Sequence, residues 1–283
     1  MSRVHEALQR AGGAFVTGTA DPAGCWPPPE AAAGLLQHVQ TILYQLAPDA
    51  LAIDPLHPES APIEEFRALR TRLNHLQSKQ PVRTVVITSA SPAEGKSFAA
   101  TNLALAEAQL SENRVLLCDF DFRRPVVHKL FQTDRSPGLT DYLLSKVPLE
   151  LAMRRIADSN LFVMPAGQAV INPLELLNLP AVKQMLDGLA GTFNWILLDS
   201  PPLLFAADGN LLATLCDATI LVVRIGATTI DSIARARQAL CQDNVIGIIV
   251  NGARRGELYS KYTYYHAYDA DEGGQPVTEG LES

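Results

Sequence analysis

The chain has 283 residues, of which 47% are hydrophobic and 19% charged, and this composition is that of an ordinary globular protein. Its formal net charge of −7 argues against nucleic acid as a partner, because binding to phosphate backbones needs clustered Lys and Arg. The longest apolar run is well short of the roughly 20 residues that a membrane-spanning helix needs, which predicts a cytoplasmic protein.

Residues 1–61 are predicted to form a lead segment before the main domain. Ser2 to Ala11 has the pattern of a short helix, the Gly- and Pro-rich stretch that follows has that of a linker, and Ala31 to Leu46 is again helix-like. A clearer helix is predicted from Pro62 to Gln77, with Pro62 at a permitted first-turn position. Its apolar residues form one stripe, made by Phe66, Leu69, Leu73 and Leu76.

Short apolar strands alternate with helical patterns from Arg83 onward. The predicted strands are Val85–Thr88, Val115–Asp119, Leu161–Met164, Trp195–Asp199, Thr219–Val223 and Val245–Val250. Near-continuous apolar strands flanked by helices predict an α/β domain with a mostly parallel sheet and helices on both faces. We predict this domain over residues 62–252, with its ligand at the carboxyl ends of the strands.

The segment Thr88 to Ser97 (TSASPAEGKS) follows the first of these strands and precedes a helical run from Phe98 to Leu110. A strand, a turn that ends Gly-Lys-Ser and a helix are typical of a nucleotide-phosphate site. Backbone N–H groups and the helix N-terminus face the anion, a lysine reaches the outer phosphates, and a hydroxyl coordinates Mg²⁺. The predicted nucleotide-binding residues are Ser91, Ala93, Glu94, Gly95, Lys96, Ser97 and Phe98.

Two further strands end in acidic residues. The segment LLCDFDFRRP carries Asp119 and Asp121, and ILLDSPP carries Asp199. Carboxylates suit hydrated Mg²⁺ beside phosphate oxygens, and they can accept a hydroxyl proton. Taken alone, Asp119 and Asp121 would indicate a charged exit from a strand, and Asp199 is typical of an Asp that caps the next loop. Their coincidence with a phosphate loop favours one magnesium-nucleotide site.

These motifs together resemble the bacterial tyrosine kinases (BY-kinases) of exopolysaccharide and capsule synthesis. That family belongs to the deviant P-loop ATPases, alongside the ParA/MinD proteins and the nitrogenase iron protein. The resemblance covers the chain from Pro62 to the C-terminus. The segments that carry it are SPAEGKS, LLCDFDFRRP, PGLTDYL, ILLDSPP and VVR. The most specific element is the family's Asp-x-Asp-x-Arg motif, which falls on Asp119, Asp121 and Arg123.

The resemblance implies a P-loop fold of the ParA/MinD type with a deviant Walker A motif, and a tyrosine kinase that uses ATP and Mg²⁺. Lys96, Asp119 and Asp121 would be catalytic, with Lys96 on the β- and γ-phosphates. The metal residues would be Ser97, Asp119 and Asp199. Which of Asp119 and Asp121 takes the proton of the attacking hydroxyl stays open.

Ala93 and Ser91 help to distinguish an active kinase from other P-loop proteins. Ala93 replaces a glycine that is usual in the family's phosphate loop, and its methyl group is expected to restrict the turn and lower activity. Ser91 stands where ParA/MinD proteins place a second lysine, which argues against a dimeric ATPase of that kind. The alternatives are a non-kinase ATPase switch of the ParA/MinD type and a weakly active scaffold whose ATP site controls assembly.

Glu64, Arg67 and Arg70 lie three residues apart and share one broad face of the predicted helix. In the family, a Glu-x-x-Arg-x-x-Arg helix docks on the neighbouring subunit and builds a ring, so the resemblance implies oligomerisation through these residues. The simpler alternative is an intrahelical pair between Glu64 and Arg67 on a solvated face.

Residues 253–283 are predicted to form a flexible tail, since apolar periodicity ends after Asn251. Five of the seven tyrosines of the chain lie there, at Tyr259, Tyr262, Tyr264, Tyr265 and Tyr268. The resemblance implies that they are autophosphorylated between subunits, whereas a partner-binding tail is the alternative.

The resemblance further implies two partners besides the ring. A membrane chain-length protein, the polysaccharide co-polymerase, would act as adaptor and recruit the kinase to the inner face of the cell membrane. A phosphotyrosine phosphatase would reverse the modification. Nucleic acid is not expected as a partner.

Overall fold

Eight strands form one sheet in the computed structural model, which describes residues 34, 36–45, 47, 63–240 and 244–253. The strands are β1 (Gln40–Ile42), β2 (Thr84–Ser89), β3 (Val115–Asp119), β4 (Arg154–Ile156), β5 (Leu161–Met164), β6 (Trp195–Asp199), β7 (Ala218–Arg224) and β8 (Val245–Asn251). Their order across the sheet is β1-β4-β5-β3-β6-β2-β7-β8. Every neighbouring pair is parallel except β4 and β5, which confirms the predicted mostly parallel sheet.

Helices separate most of the strands. They are α1 (Ile63–Gln77), α2 (Lys96–Ala108), α3 (Val127–Leu130), α4 (Leu139–Leu143), α5 (Leu149–Ala152), α6 (Pro173–Leu177), α7 (Pro180–Ala190), α8 (Ala207–Leu215) and α9 (Ile230–Ala239). In the part of the chain that the structure describes, no helix combines the length and the apolarity that a bilayer crossing requires.

The central strands are buried on both faces because successive side chains point to opposite sides of a strand. In β2, Val85 and Ile87 pack in a core that includes residues of α1 and α2. Val86 packs in a second core, on the face covered by α4 to α8. The same alternation in β3 and β6 explains why these strands are apolar at every position before their terminal Asp.

The six strands predicted from the sequence are confirmed, whereas β1 and β4 were not predicted. The helix predicted over Ala31 to Leu46 is confirmed at Gly34 but is wrong from Leu36 onward, where a 3₁₀ turn at Leu36–His38 is followed by β1. The residues of β1 include the β-branched Thr41 and Ile42, and pairing with β4 gives its backbone a parallel partner. The predicted helix at Ser2 to Ala11 lies outside the described residues.

Polar contacts fix α1 on α2, the helix that begins at the phosphate loop. Glu107 of α2 accepts hydrogen bonds at Oε2 from the side-chain amides of Asn74 (2.9 Å) and Asn113 (2.8 Å). Arg70 donates to the carbonyl of Ala106 at 2.8 Å. Burial raises the pKa of Glu107 to about 7, against the opposing effect of these partners. The face of α1 that carries Arg70 is therefore tied to the end of α2.

Candidate active site

Three adjacent strands bring the predicted site residues to one edge of the sheet. The order β3-β6-β2 places the ends of these strands side by side. In the register, Asp119 lies opposite Asp199, and Asp199 lies opposite Ile87 of β2. β2 ends at Ser89, two residues beyond Ile87, and the phosphate loop follows it directly. The loop and the acidic strand ends therefore meet at the carboxyl edge, as parallel sheets arrange their ligand sites.

The phosphate loop makes its turn through two residues in the left-handed region. Ala93 has a φ of 62° and Gly95 a φ of 98°. A side chain at Gly95 would be strained by this φ, and its Cβ would lie 1.9 Å from Nδ2 of Asn251 at the end of β8, which would have to move. That same amide donates to the carbonyl of Glu94 at 3.0 Å. The loop and the last strand are therefore in direct contact.

The loop is braced by side chains that the sequence analysis did not assign. Glu94 is 3% exposed, and its carboxylate turns inward to accept the Ser91 N–H at 2.8 Å and the Thr228 hydroxyl. Arg224, at the end of β7, donates to the carbonyl of Ala93 at 3.0 Å. These contacts hold the loop in place just before α2. As in any helix, the N–H groups of the first turn of α2 have no helical partners and point toward the loop.

Lys96 lies against an acidic side chain at the first position of α2. Its Nζ is 3.2 Å from Oδ2 of Asp121, and both side chains are largely buried. The other oxygen of Asp121 accepts the backbone N–H of Arg124 at 3.0 Å. The lysine and this carboxylate thus form a directed ion pair at the base of the loop.

Asp119 is fully buried and is occupied by backbone groups. Its Oδ2 accepts the N–H groups of Val126 (2.9 Å) and Val127 (3.0 Å), and its Oδ1 accepts that of Asp121 at 3.2 Å. Burial and the neighbouring Asp199 raise the pKa of Asp119, although its backbone hydrogen bonds oppose the shift. Asp119 therefore organises the segment that follows β3.

Asp199 is equally buried, yet neither of its carboxylate oxygens has a hydrogen-bond partner among the described residues. Burial raises its pKa to about 6, while Lys96 and the nearby Ser97 hydroxyl act in the opposite direction. A buried carboxylate without a partner is costly unless something binds it. The hard oxygen atoms of Asp199, beside a phosphate loop, fit a magnesium shell.

The protein side chains alone do not form a cation cage. Within the described ranges, no group of three or more His, Cys, Asp or Glu residues is arranged to hold a metal. That arrangement agrees with the way Mg²⁺ binds in nucleotide sites, through one or two carboxylates, phosphate oxygens and water.

Arg123 of the Asp-x-Asp-x-Arg motif is held by Asp208, which was not among the predicted site residues. Its Nε donates to Oδ2 of Asp208 at 2.8 Å and its Nη2 to Oδ1 at 3.3 Å. Asp208 is buried in the first turn of α8, which packs beside the site. A two-point contact of this kind fixes the guanidinium plane, so that Arg123 connects the acidic segment to α8.

The remaining predicted residues divide into three groups. Phe98 packs its ring on Phe66 of α1, with centroids 5.9 Å apart. Glu64 and Arg67 form an intrahelical pair at 2.6 Å, which is the simpler alternative. Arg70 donates to Ala106 of α2 in its own chain, and the role of the three residues in a ring stays a prediction. The predicted autophosphorylation sites, Tyr259, Tyr262, Tyr264, Tyr265 and Tyr268, lie outside the described residues.

Ala93→Gly is expected to stabilise the chain by about 1 kcal/mol, because the left-handed conformation costs a residue with a Cβ roughly 1–2 kcal/mol and glycine loses part of that gain through unfolded-chain entropy. The matched control is Ala68→Gly on the exposed face of α1, which should destabilise by about 1 kcal/mol. Urea unfolding of the three proteins measures both changes. Destabilisation by Ala93→Gly would contradict strain at this position.

A nucleotide-phosphate loop, two acidic strand ends and a parallel sheet define a P-loop nucleotide-binding protein. The solved structure of the septum site-determining protein MinD from Pyrococcus horikoshii shares this fold, with a TM-score of 0.51 over 59% of this chain and 69% of that one at 19% identity. No family model matches the chain.

Similarity to known proteins identifies the family within this class. The chain is 35% identical to the tyrosine-protein kinase YwqD of Bacillus subtilis over 214 residues, which cover 75% of this chain and 90% of YwqD. It is 32% identical to the tyrosine-protein kinase Etk of Escherichia coli, of which the match spans 29%. The kinase domain of Etk superposes with a TM-score of 0.68 at 29% identity, over 82% of this chain and 84% of the domain. The chain belongs to the bacterial tyrosine-protein kinases.

Proposed function

We propose that the protein transfers the γ-phosphoryl group of ATP to tyrosines of its own C-terminal tail, between neighbouring subunits. The observation that carries this proposal is the convergence of Lys96, Asp121, Asp119 and Asp199 beside one phosphate loop. Membership of the tyrosine-kinase family supports tyrosine as the acceptor.

In the proposed reaction, the protein contributes mainly position and charge. The backbone N–H groups of the loop and the start of α2 hold the phosphates, and Lys96 neutralises the outer ones. Ser97 and Asp199 are the residues that would hold Mg²⁺, with Asp119 behind them. When bound, the metal ion neutralises charge on the transferring group.

Asp121 is the better-placed group to accept the phenolic proton. Both oxygens of Asp119 are engaged by backbone N–H groups, whereas Asp121 directs Oδ2 toward Lys96 at the base of the loop. A phenol has a pKa of about 10, so its proton must be drawn off as the new bond forms. Lys96 would then shift from Asp121 toward the phosphates.

The wider setting belongs to the same proposal. A ring built through Glu64, Arg67 and Arg70 would supply each site with a neighbouring tail at high effective concentration. A membrane adaptor would recruit the ring, a phosphatase would reset it, and the output would be control of exopolysaccharide synthesis or export. Each phosphate adds about −1.5 to −2 charges to an already acidic tail, which would loosen the ring.

The test is incubation of the full chain with Mg·ATP, followed by mass-spectrometric mapping of phosphotyrosine. We expect phosphate on the tail tyrosines and none on a variant with all five replaced by Phe. Mixing the all-Phe variant with a Lys96→Met variant distinguishes transfer within one subunit from transfer between subunits. Phosphate on the Lys96→Met chain requires transfer between subunits.

The same experiment separates the alternatives. ATP hydrolysis without phosphotyrosine would contradict the kinase proposal and favour an ATPase switch. ATP-dependent assembly with neither ATP hydrolysis nor phosphotyrosine would favour a scaffold. The left-handed conformation of Ala93 is the structural observation that supports this alternative.

A further inference from the structure

A cationic segment follows the catalytic carboxylates. Residues 123–135 contain Arg123, Arg124, Lys129 and Arg135, with Asp134 as their one acidic residue. This concentration of positive charge contrasts with the net charge of −7 for the whole chain. The segment runs from β3 to α4 along the carboxyl edge of the sheet, which is the edge that carries the site.

Two of these cations have structural partners and two do not. Arg123 is held by Asp208, and Arg135 donates to the carbonyl of Gly167 at 2.7 Å. Arg124 and Lys129 are exposed, and neither forms an ion pair with any residue that the structure describes. Their charges are therefore available to a ligand.

Backbone hydrogen bonds tie the main chain at Arg124 and Lys129 to the site, and their exposed side chains extend from there. The N–H of Arg124 donates to the Asp121 carboxylate, and the N–H of Lys129 donates to the carbonyl of Val126. The N–H of Val126 in turn donates to Asp119. A substrate hydroxyl at Asp121 would thus place its neighbouring residues beside these side chains.

The cations of this segment also act on its histidine. Burial lowers the pKa of His128, and the adjacent charges of Arg135 and Lys129 lower it further. Asp134 acts on Arg154, on the other side of the segment. An acidic ligand would meet attraction here, with little carboxylate repulsion from the segment itself.

The tail offers one tyrosine with matching chemistry. Tyr268 is followed by Asp269, Asp271 and Glu272, whereas Tyr259 and Tyr262 flank Lys261. We propose that Arg124 and Lys129 bind the carboxylates that follow the acceptor tyrosine, so that Tyr268 is the preferred acceptor in the tail. This inference rests on the proposed function, and it adds a substrate preference of a tyrosine followed by acidic residues.

The first experiment measures initial phosphorylation rates of each tail tyrosine in the full chain. Arg124→Glu with Lys129→Glu should slow Tyr268 by about tenfold, because two ion pairs become repulsive, and should change Tyr259 and Tyr262 less than about twofold. The control is Lys79→Glu with Arg114→Glu, two exposed cations that precede β2 and β3 at the opposite edge, and it should leave the order of tyrosines unchanged.

Charge exchange gives a stricter test of the same contact. Asp269→Lys, Asp271→Lys and Glu272→Lys should slow Tyr268 in the native protein by a similar factor. Combining this tail with Arg124→Glu and Lys129→Glu should restore most of the rate. Equal rates for all tyrosines, or no recovery in the combination, would overturn the inference while leaving the kinase activity intact.

A binding experiment needs no catalysis. A fluorescent peptide of residues 264–276 is titrated without ATP into the full chain whose own tail carries Asp269→Asn, Asp271→Asn and Glu272→Gln, so that the tail does not compete. The Kd should rise about tenfold with Arg124→Glu and Lys129→Glu. Binding that depends on these cations in a protein without kinase activity would refute the proposed function and support the acidic-peptide site. Binding that ignores them refutes the site.

Discussion

Lys96→Met is expected to lower tail phosphorylation by about 100- to 1,000-fold, the usual loss when one preorganised charge-stabilising donor is removed from an active site. Lys96 is the cation that faces Asp121 at 3.2 Å and that also acts on Asp199. Without it, the outer phosphates of ATP would meet the buried carboxylates without the cation that pairs with Asp121. Quantitative mass spectrometry of the tail after a timed incubation measures the loss.

The control for this variant is Lys79→Met, which removes an exposed lysine outside the site and should leave the rate unchanged. Lys96→Arg keeps the charge with a different shape, and we expect it to recover only a small part of the rate because the loop is braced around a narrow side chain. Phosphate that persists at the native rate in Lys96→Met would remove this lysine from the mechanism, provided that the all-Phe tail is silent in the same preparation.

Asp199→Asn is expected to stabilise the ligand-free chain at pH 7 by up to about 3 kcal/mol while abolishing Mg²⁺-dependent activity. The stabilisation follows from a folded-state pKa of about 6, raised by burial from an ordinary value of 3.8. The folded chain therefore holds this proton more tightly than the unfolded chain. The contribution of Asp199 to stability is complete below about pH 4 and is lost as the pH rises through about 6, so that at pH 7 the charged group opposes folding.

Urea unfolding at several pH values tests whether the charged Asp199 opposes folding. The difference in unfolding free energy between Asp199→Asn and the native chain should be near zero at pH 4 and should reach its maximum above pH 6. Asp187→Asn, on the exposed face of α7, is the matched control and should show no such rise. Adding Mg·ATP should reverse the order at pH 7, because ligand binding stabilises only the chain that retains its metal ligand. A flat difference across the pH range would show that Asp199 is not held at an unfavourable charge.

The sequence was sufficient to predict the elements whose patterns are local. The β-branched run Val85-Val86-Ile87 predicts a strand covered on both faces, and its contacts in two cores confirm this. By contrast, β4 contains Arg154, which no strand pattern would place inside. Inside the fold its guanidinium donates to the carbonyl of Leu151 at 2.7 Å and to that of Pro137 at 3.2 Å. The contact with Pro137 lies 17 residues away in the chain and depends on tertiary structure.

The site shows the same division. Lys96 and the acidic residues at the strand ends follow from motif and spacing, and the register of β3, β6 and β2 brings them together. The braces from Thr228 and Asn251 to the loop could not be predicted, since each comes from more than 130 residues away and makes its contact through one side chain. Sequence spacing carries no information about such pairs.

The contact between Asn251 and the phosphate loop joins the loop that follows the central strand β2 to the edge strand β8. β8 pairs only with β7 among the described strands, and Ile248 and Val250 are more than half exposed. Edge strands with few buried contacts are the first to open in partial unfolding. Fraying of β8 would withdraw the amide that fills the space at Gly95, so the loop would lose its shape well below the temperature at which the core melts. Hydrogen exchange at β8 should therefore report the nucleotide competence of the whole domain.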